Sequence, residues 1–147
     1  MPVVPLDSSF LERAFEQPAQ SFLNAHGMLD QLTVNDYSPG QGIPPHVDTH
    51  SPFEEVFVSL SLRSGACMHF KNPDGLMRDV YMLPRQLMVF SGQARYDWLH
   101  SISTRKIDKV EGRLKFRSRR VSLTFRKIKH TPCSCNYARL CDTQNTA

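Results

Sequence analysis

The sequence predicts a mainly β chain, eight short strands folded as a jelly roll, with one short helix ahead of them. Three observations carry that expectation. Apolar and polar residues alternate with period two in segments of four to seven residues. Turn residues such as Pro39-Gly40, Pro73-Asp74-Gly75 and Ser91-Gly92 cut these segments at short intervals. No 3.6-residue period appears after residue 30, which argues against βαβ units.

Taken in order, Ser9 and Glu12 form an S-x-x-E capping box ahead of Ala14 and Phe15, which predicts a helix over 8–16 ended by Pro18. Strands follow at 32–37, 45–48, 56–62, 66–70, 80–83, 86–90, 98–103 and 121–127. In the third, Val56, Val58, Leu60 and Leu62 take one face and Phe57, Ser59 and Ser61 the other. In the last, Val121, Leu123 and Phe125 are the expected core residues, and Arg120 and Arg126 share the opposite face. The chain divides into a helical extension (1–30), a β domain (31–130) and a cysteine-bearing tail packed on it (131–147).

Composition narrows the function classes. A chain of 147 residues with 40% hydrophobic and 22% charged content is long enough for one packed domain. It contains no apolar run of membrane-spanning length, and Asp7 and Glu12 interrupt any secretion signal. The expected location is the cytosol or nucleus. From Arg105 to Lys129 there are eleven Lys/Arg against two acids, whereas the rest of the chain is net acidic. One basic segment on an acidic body points to a polyanionic partner, nucleic acid first, or to a solvated basic loop.

The stretch "GQGIPPHVDTH" places His46, Asp48 and His50 on alternate positions. On a strand, His46 and Asp48 face the same way, and His100 in "YDWLHSIS" is the best third ligand. Two His and one carboxylate leave three positions of an octahedral iron open, the arrangement of non-haem Fe(II) oxygenases. Loop histidines without a metal are the plain alternative. Cys133, Cys135 and Cys141 form C-x-C-x5-C, which without a secretion signal favours metal over disulfides. A structural zinc needs a fourth ligand, and His50 or Cys67 could supply it. Arg120 and Arg126 inside a barrel need an anion, such as a small dicarboxylate held by an arginine fork, with Asn35 and Tyr37, which share a face, as neutral donors; solvated arginines are the plain alternative.

Together "VNDY", "HVD", "WLH" and "RRVSLTFR" resemble, in order, the motifs of the AlkB-type Fe(II)/2-oxoglutarate dioxygenases. Within that family "HFKNPDG", "MLPRQLMVFSG" and "TPCSCNYARLCD" are similar to the branch that hydroxylates the tRNA wobble uridine, over roughly residues 30–144. The resemblance implies a double-stranded β-helix, a jelly-roll variant, with the first thirty residues standing where the family has its nucleotide-recognition lid. It implies that His46, Asp48 and His100 hold Fe(II), and that Asn35, Tyr37 and Arg120 bind 2-oxoglutarate. Arg126 would line the catalytic cavity near cosubstrate or substrate. His50, Cys133, Cys135 and Cys141 would bind a structural Zn(II). The implied activity is hydroxylation of 5-methoxycarbonylmethyluridine in a tRNA anticodon loop. Arg105, Lys106, Lys109, Arg113, Lys115, Arg117 and Arg119 would form a basic RNA-binding rim, and RNA-recognition or methyltransferase subunits would be separate partners. Two other readings use the same residues: an AlkB-type demethylase of N-methylated nucleobases, and a non-catalytic RNA-binding module.

Overall fold

The computed structural model describes residues 27–145. The expected helix over 8–16, its Ser9–Glu12 box and Pro18 lie outside the described residues. Among these residues ten strands form two four-stranded antiparallel sheets and a separate hairpin: β1 (Gln31–Tyr37), β2 (Ile43–His46), β3 (Phe57–Arg63), β4 (Ala66–Lys71), β5 (Met77–Met82), β6 (Leu87–Phe90), β7 (Leu99–Ile102), β8 (Ile107–Val110), β9 (Arg113–Phe116) and β10 (Arg120–Arg126). The first sheet has the order β1-β10-β3-β6, the second β2-β7-β4-β5, and β8 pairs with β9. Apart from the β4–β5 and β8–β9 hairpins, chain neighbours alternate between the two sheets, the pattern of a jelly roll.

The sheets pack around Phe57, Ala66, Met68, Phe70, Met82, Phe90 and Ile102. Phe57 and Phe90 stack at 4.4 Å between ring centroids. This apolar filling occupies only part of the space between the sheets. On β3 and β10 the remaining inward residues are polar: Ser59, Ser61, Ser122, Thr124 and Arg120, all buried. Val58, Leu60, Leu123 and Phe125 point the other way and join Leu29 and Leu32 in a second apolar cluster. The first sheet is thus apolar on its outer face and polar on its inner one. Val121, Leu123 and Phe125 do face away from Arg120 and Arg126, but the cluster that Leu123 and Phe125 join is this outer one.

Three sequence expectations need correction. The eight-strand reading missed β8 and β9, because charged residues break the alternation of "KIDKVEGRLKF". The hairpin closes on Glu111 and Gly112, both at positive φ (50° and 77°), the two-residue loop that matches strand twist. A one-turn helix, α1 (Gly92–Tyr96), precedes β7, where no helical period announced it. Finally β2 spans 43–46 rather than 45–48. It is an edge strand, where Pro44 and Pro45 cost no ladder bond.

Candidate metal and cosubstrate site

β2 lies against β7 with His46 directly opposite His100. Their rings stand 4.3 Å apart between centroids. Asp48 follows two residues past His46, beyond the strand end, yet its Oδ1 lies 3.7 Å from Nε2 of each histidine. These three residues can direct one ligand atom each to a common point. His46 Nδ1 donates to the Pro44 carbonyl at 2.8 Å, which leaves the lone pair on Nε2, the atom that faces Asp48. Burial, with His46 alongside, pushes His100 down to about 4 against the pull of Asp48. His100 is therefore a neutral imidazole at physiological pH, as a metal ligand must be.

The carboxylate of Asp48 is divided between two tasks. Oδ1 faces the histidines, and Oδ2 accepts from Arg126 Nε at 2.6 Å. Arg126 Nη1 also donates to Gln31 and Thr33 on β1. This arginine is held in place by Asp48, which limits what else it can bind.

The irregular backbone after β2 is held by Arg95, which lies on α1 and is 1% exposed. It donates to the carbonyls of Asp48 (2.6 Å) and Thr49 (2.8 Å) and lies over the rings of Phe57 and Tyr96. The i, i+2 strand spacing expected for His46 and Asp48 is thus replaced by a strand end clamped by a buried cation. No spacing rule singles out Arg95 in the sequence.

The same cavity is lined by Asn35, Tyr37, Ser59, Ser122, Thr124 and Arg120. Arg120 is 4% exposed. Its Nε donates to Ser61 Oγ at 3.1 Å, and its guanidinium lies 5.5 Å over the Tyr37 ring. Burial lowers its pKa, and among the described residues no carboxylate pairs with it. A guanidinium in that state leaves a cavity suited to a small carboxylate.

His50 turns away from His46 and Asp48 and is fully buried. Its Nδ1 is 3.4 Å from Cys135 Sγ. His50, Cys135 and Cys141 converge closely enough to share a metal ion. Cys133 joins through Gln144, whose Nε2 lies 4.0 Å from Cys133, 3.4 Å from Cys135 and 3.6 Å from Cys141. Burial pushes the Cys135 thiol up to about 11. Burial also pushes Cys141 up, but hydrogen bonds from Thr143 and the Gln144 backbone outweigh it and bring Cys141 down to about 7. One imidazole and three thiols are the donor set of a tetrahedral zinc. Asp142 accepts from the backbone of His50 and Ser51, and Tyr137 stacks on Tyr96, so the tail is tied to α1 and to the loop behind Asp48.

Cys67 is not part of that cluster. It lies in β4 near His69 and Asp79, a third grouping of metal-ligand type. His69 Nδ1 bonds Asp79 at 2.7 Å and Nε2 faces Arg105 at 3.3 Å. Both ring nitrogens are engaged and a cation already sits beside them, so this is a closed polar network.

Of the seven basic rim candidates, Arg117 is misplaced. It is buried, donating through Nε and Nη2 to Asp108 at 2.6 Å each and through Nη1 to the Ser103 carbonyl. Charge counting could not anticipate that the fully buried Asp108 would claim it. Arg105 also binds Asp108, and Arg119 pairs with Asp36 while remaining exposed. Lys106, Lys109, Arg113 and Lys115 are exposed.

The profile of the 2OG-Fe(II) oxygenase superfamily matches residues 11–126. A tRNA (carboxymethyluridine(34)-5-O)-methyltransferase alkbh8 of Xenopus tropicalis is 47% identical over 80% of this chain and 21% of that protein. An alkylated DNA repair protein ALKBH8 homolog of Arabidopsis thaliana is 42% identical over 93% of this chain and 45% of that protein. The chain therefore spans about a fifth of the animal relative and under half of the plant one. Among solved structures, OsALKBH1 aligns with TM-score 0.58 at 21% identity, over 83% of this chain and 64% of that one. A Pseudomonas putida prolyl-4-hydroxylase aligns with TM-score 0.53 at 18% identity, over 80% of this chain and 64% of that one. Both share the jelly-roll fold. The chain belongs to the 2OG-Fe(II) oxygenase superfamily, whose cofactor is Fe(II) and whose cosubstrate is 2-oxoglutarate.

Proposed function

From membership in this superfamily, we propose that the chain hydroxylates a modified wobble uridine of tRNA, 5-methoxycarbonylmethyluridine, in the cytosol or nucleus. The observation that carries the reading is one cavity holding both the His46–Asp48–His100 cluster and the unpaired Arg120. The tRNA substrate rests on the likeness to the alkbh8 relative, whose name gives carboxymethyluridine at position 34.

In this reading His46, Asp48 and His100 hold Fe(II), and Arg120, with Tyr37 and Asn35, holds 2-oxoglutarate. Iron and cosubstrate, when bound, supply the oxidising power that places one oxygen of O2 in a substrate C–H bond. The chain's own residues do the positioning. His46 and His100 present lone pairs from buried or hydrogen-bonded rings. Arg126 orients Asp48 by taking its second oxygen, and Arg95 fixes the backbone that carries it. His50, Cys133, Cys135 and Cys141 hold a structural zinc that fastens the tail beside the iron loop. Methyltransferase or RNA-recognition subunits act as separate partners.

The plant relative's name favours a second reading, oxidative demethylation of N-methylated nucleobases. Nucleoside mass spectrometry separates the two. The chain is incubated with Fe(II), 2-oxoglutarate and ascorbate, together with tRNA bearing 5-methoxycarbonylmethyluridine or an N-methylated oligonucleotide. A one-oxygen gain on the uridine, absent with His46→Ala, is the expected result. Loss of a methyl group from the second substrate alone would replace hydroxylation with repair. Turnover retained by His46→Ala would remove the triad. Cys135→Ser is expected to lower bound zinc by one equivalent and to reduce stability, and unchanged zinc content counts against the tail site.

A further inference from the structure

The β8–β9 hairpin is rooted on one side and bare on the other. Register places Ile107 opposite Phe116 and Lys109 opposite Leu114, so these four share a face. Asp108 lies on the other face and is fully buried against Arg117 and Arg105, and it accepts from the Cys67 backbone at 3.1 Å. The hairpin cannot roll to hide its outer face. On that face Phe116 is 76% exposed, Leu114 63% and Ile107 38%. A lone exposed apolar residue needs no explanation, but three adjacent on a fixed ribbon do.

We propose that this face is a docking platform for single-stranded RNA, an inference that rests on the tRNA reading above. Lys109 stands among the apolar residues on this face, and Arg113 and Lys115, which pair with Val110 and Asp108 on the other face, are exposed beside it, as is Lys106 at the hairpin's base. Protein interfaces are depleted in lysine at their centres. An exposed aromatic ring with a lysine on the same face of a basic ribbon is what a stacked base and its phosphate need. The only acid on the hairpin besides buried Asp108 is Glu111, in the turn.

Position decides which nucleotides are held. The hairpin joins β10 at its Arg120 end, whereas Arg126, six residues on, carries the pair to Asp48. At about 3.3 Å per residue the two ends of β10 lie roughly 20 Å apart. The platform therefore grips nucleotides flanking the reacting base, and its loss raises KM while leaving kcat at saturating RNA unchanged.

The test is fluorescence anisotropy with a labelled anticodon stem-loop RNA, using the full chain loaded with Fe(II), over a range of salt. Phe116→Ala combined with Leu114→Ala, both at exposed positions, is expected to weaken Kd about fivefold or more. Phe116→Trp is expected to restore it. Lys109→Ala, the cation on that face, is expected to flatten the salt dependence. Slow 2-oxoglutarate consumption without RNA stays unchanged in all of them. Wild-type binding that is indifferent to the Phe116/Leu114 change overturns the platform and leaves the tRNA reading standing. No RNA binding by the wild type overturns both. A dimer that the Phe116 change dissolves, with Kd for RNA unaltered, makes the face a contact between copies and overturns the platform as well.

Discussion

Two buried arginines three residues apart have opposite surroundings. Arg117 is saturated: Asp108 takes two of its donors and the Ser103 carbonyl a third. Arg120, just as buried, has one serine hydroxyl and one aromatic face. The first is a knot that ties the basic hairpin to β4. The second has no carboxylate partner among the described residues, and burying an unpaired cation costs several kcal/mol unless a ligand supplies the missing charge. The contrast teaches that burial alone does not separate structural from functional arginines. The pairing does.

The comparison breaks or sharpens under substitution. Arg120→Met should have the largest effect on activity, raising the KM for 2-oxoglutarate roughly 30-fold or more. The melting temperature without cosubstrate should stay level or rise, because an uncompensated buried charge has gone. A fall in melting temperature with unchanged KM would make Arg120 structural.

Asp108→Ala should do the reverse. Removing the carboxylate strands Arg117 in the interior at a cost of about 3 kcal/mol, read by chemical denaturation, while turnover per folded molecule is retained. It should also alter the acid limb of stability. Burial alone would raise the Asp108 carboxyl, but Arg117, the Cys67 amide and Arg105 outweigh it and hold it below its ordinary 3.8. A depressed carboxylate binds fewer protons folded than unfolded. Its contribution is complete above pH of about 4 and is lost as pH falls through the folded value. The variant's stability should therefore fall less steeply in acid than the wild type's, and parallel curves would remove Asp108 from the account.

Arg119→Ala should change least. Its bond to Asp36 is bidentate, but both groups are exposed and salt-screened, so the melting temperature should not move measurably.

Much of the site was legible because it follows from local spacing. H-x-D puts two candidate ligands two residues apart, and R-x5-R puts two arginines on one face of any strand. Those facts survive even though β2 ends at His46 and Asp48 lies beyond it. The jelly roll was legible from alternation and turns in the same way. The hairpin was not, because strands that pair only with each other and face solvent need no apolar alternation.

By itself the sequence determined the strand-rich architecture, the residue types able to ligate two metals, and the concentration of positive charge between Arg105 and Lys129. Only the tertiary structure decided which of those charges are free. It gave Arg117 to Asp108, Arg126 to Asp48 and Arg119 to Asp36, and among the described residues it left Arg120 without a carboxylate. It also recruited Arg95 from a one-turn helix to hold the backbone that carries Asp48. The physical reason is range. Periodicity fixes which way a side chain points, but a partner for a buried charge comes from whichever distant segment the fold brings within hydrogen-bond reach, and sequence separation carries no record of that.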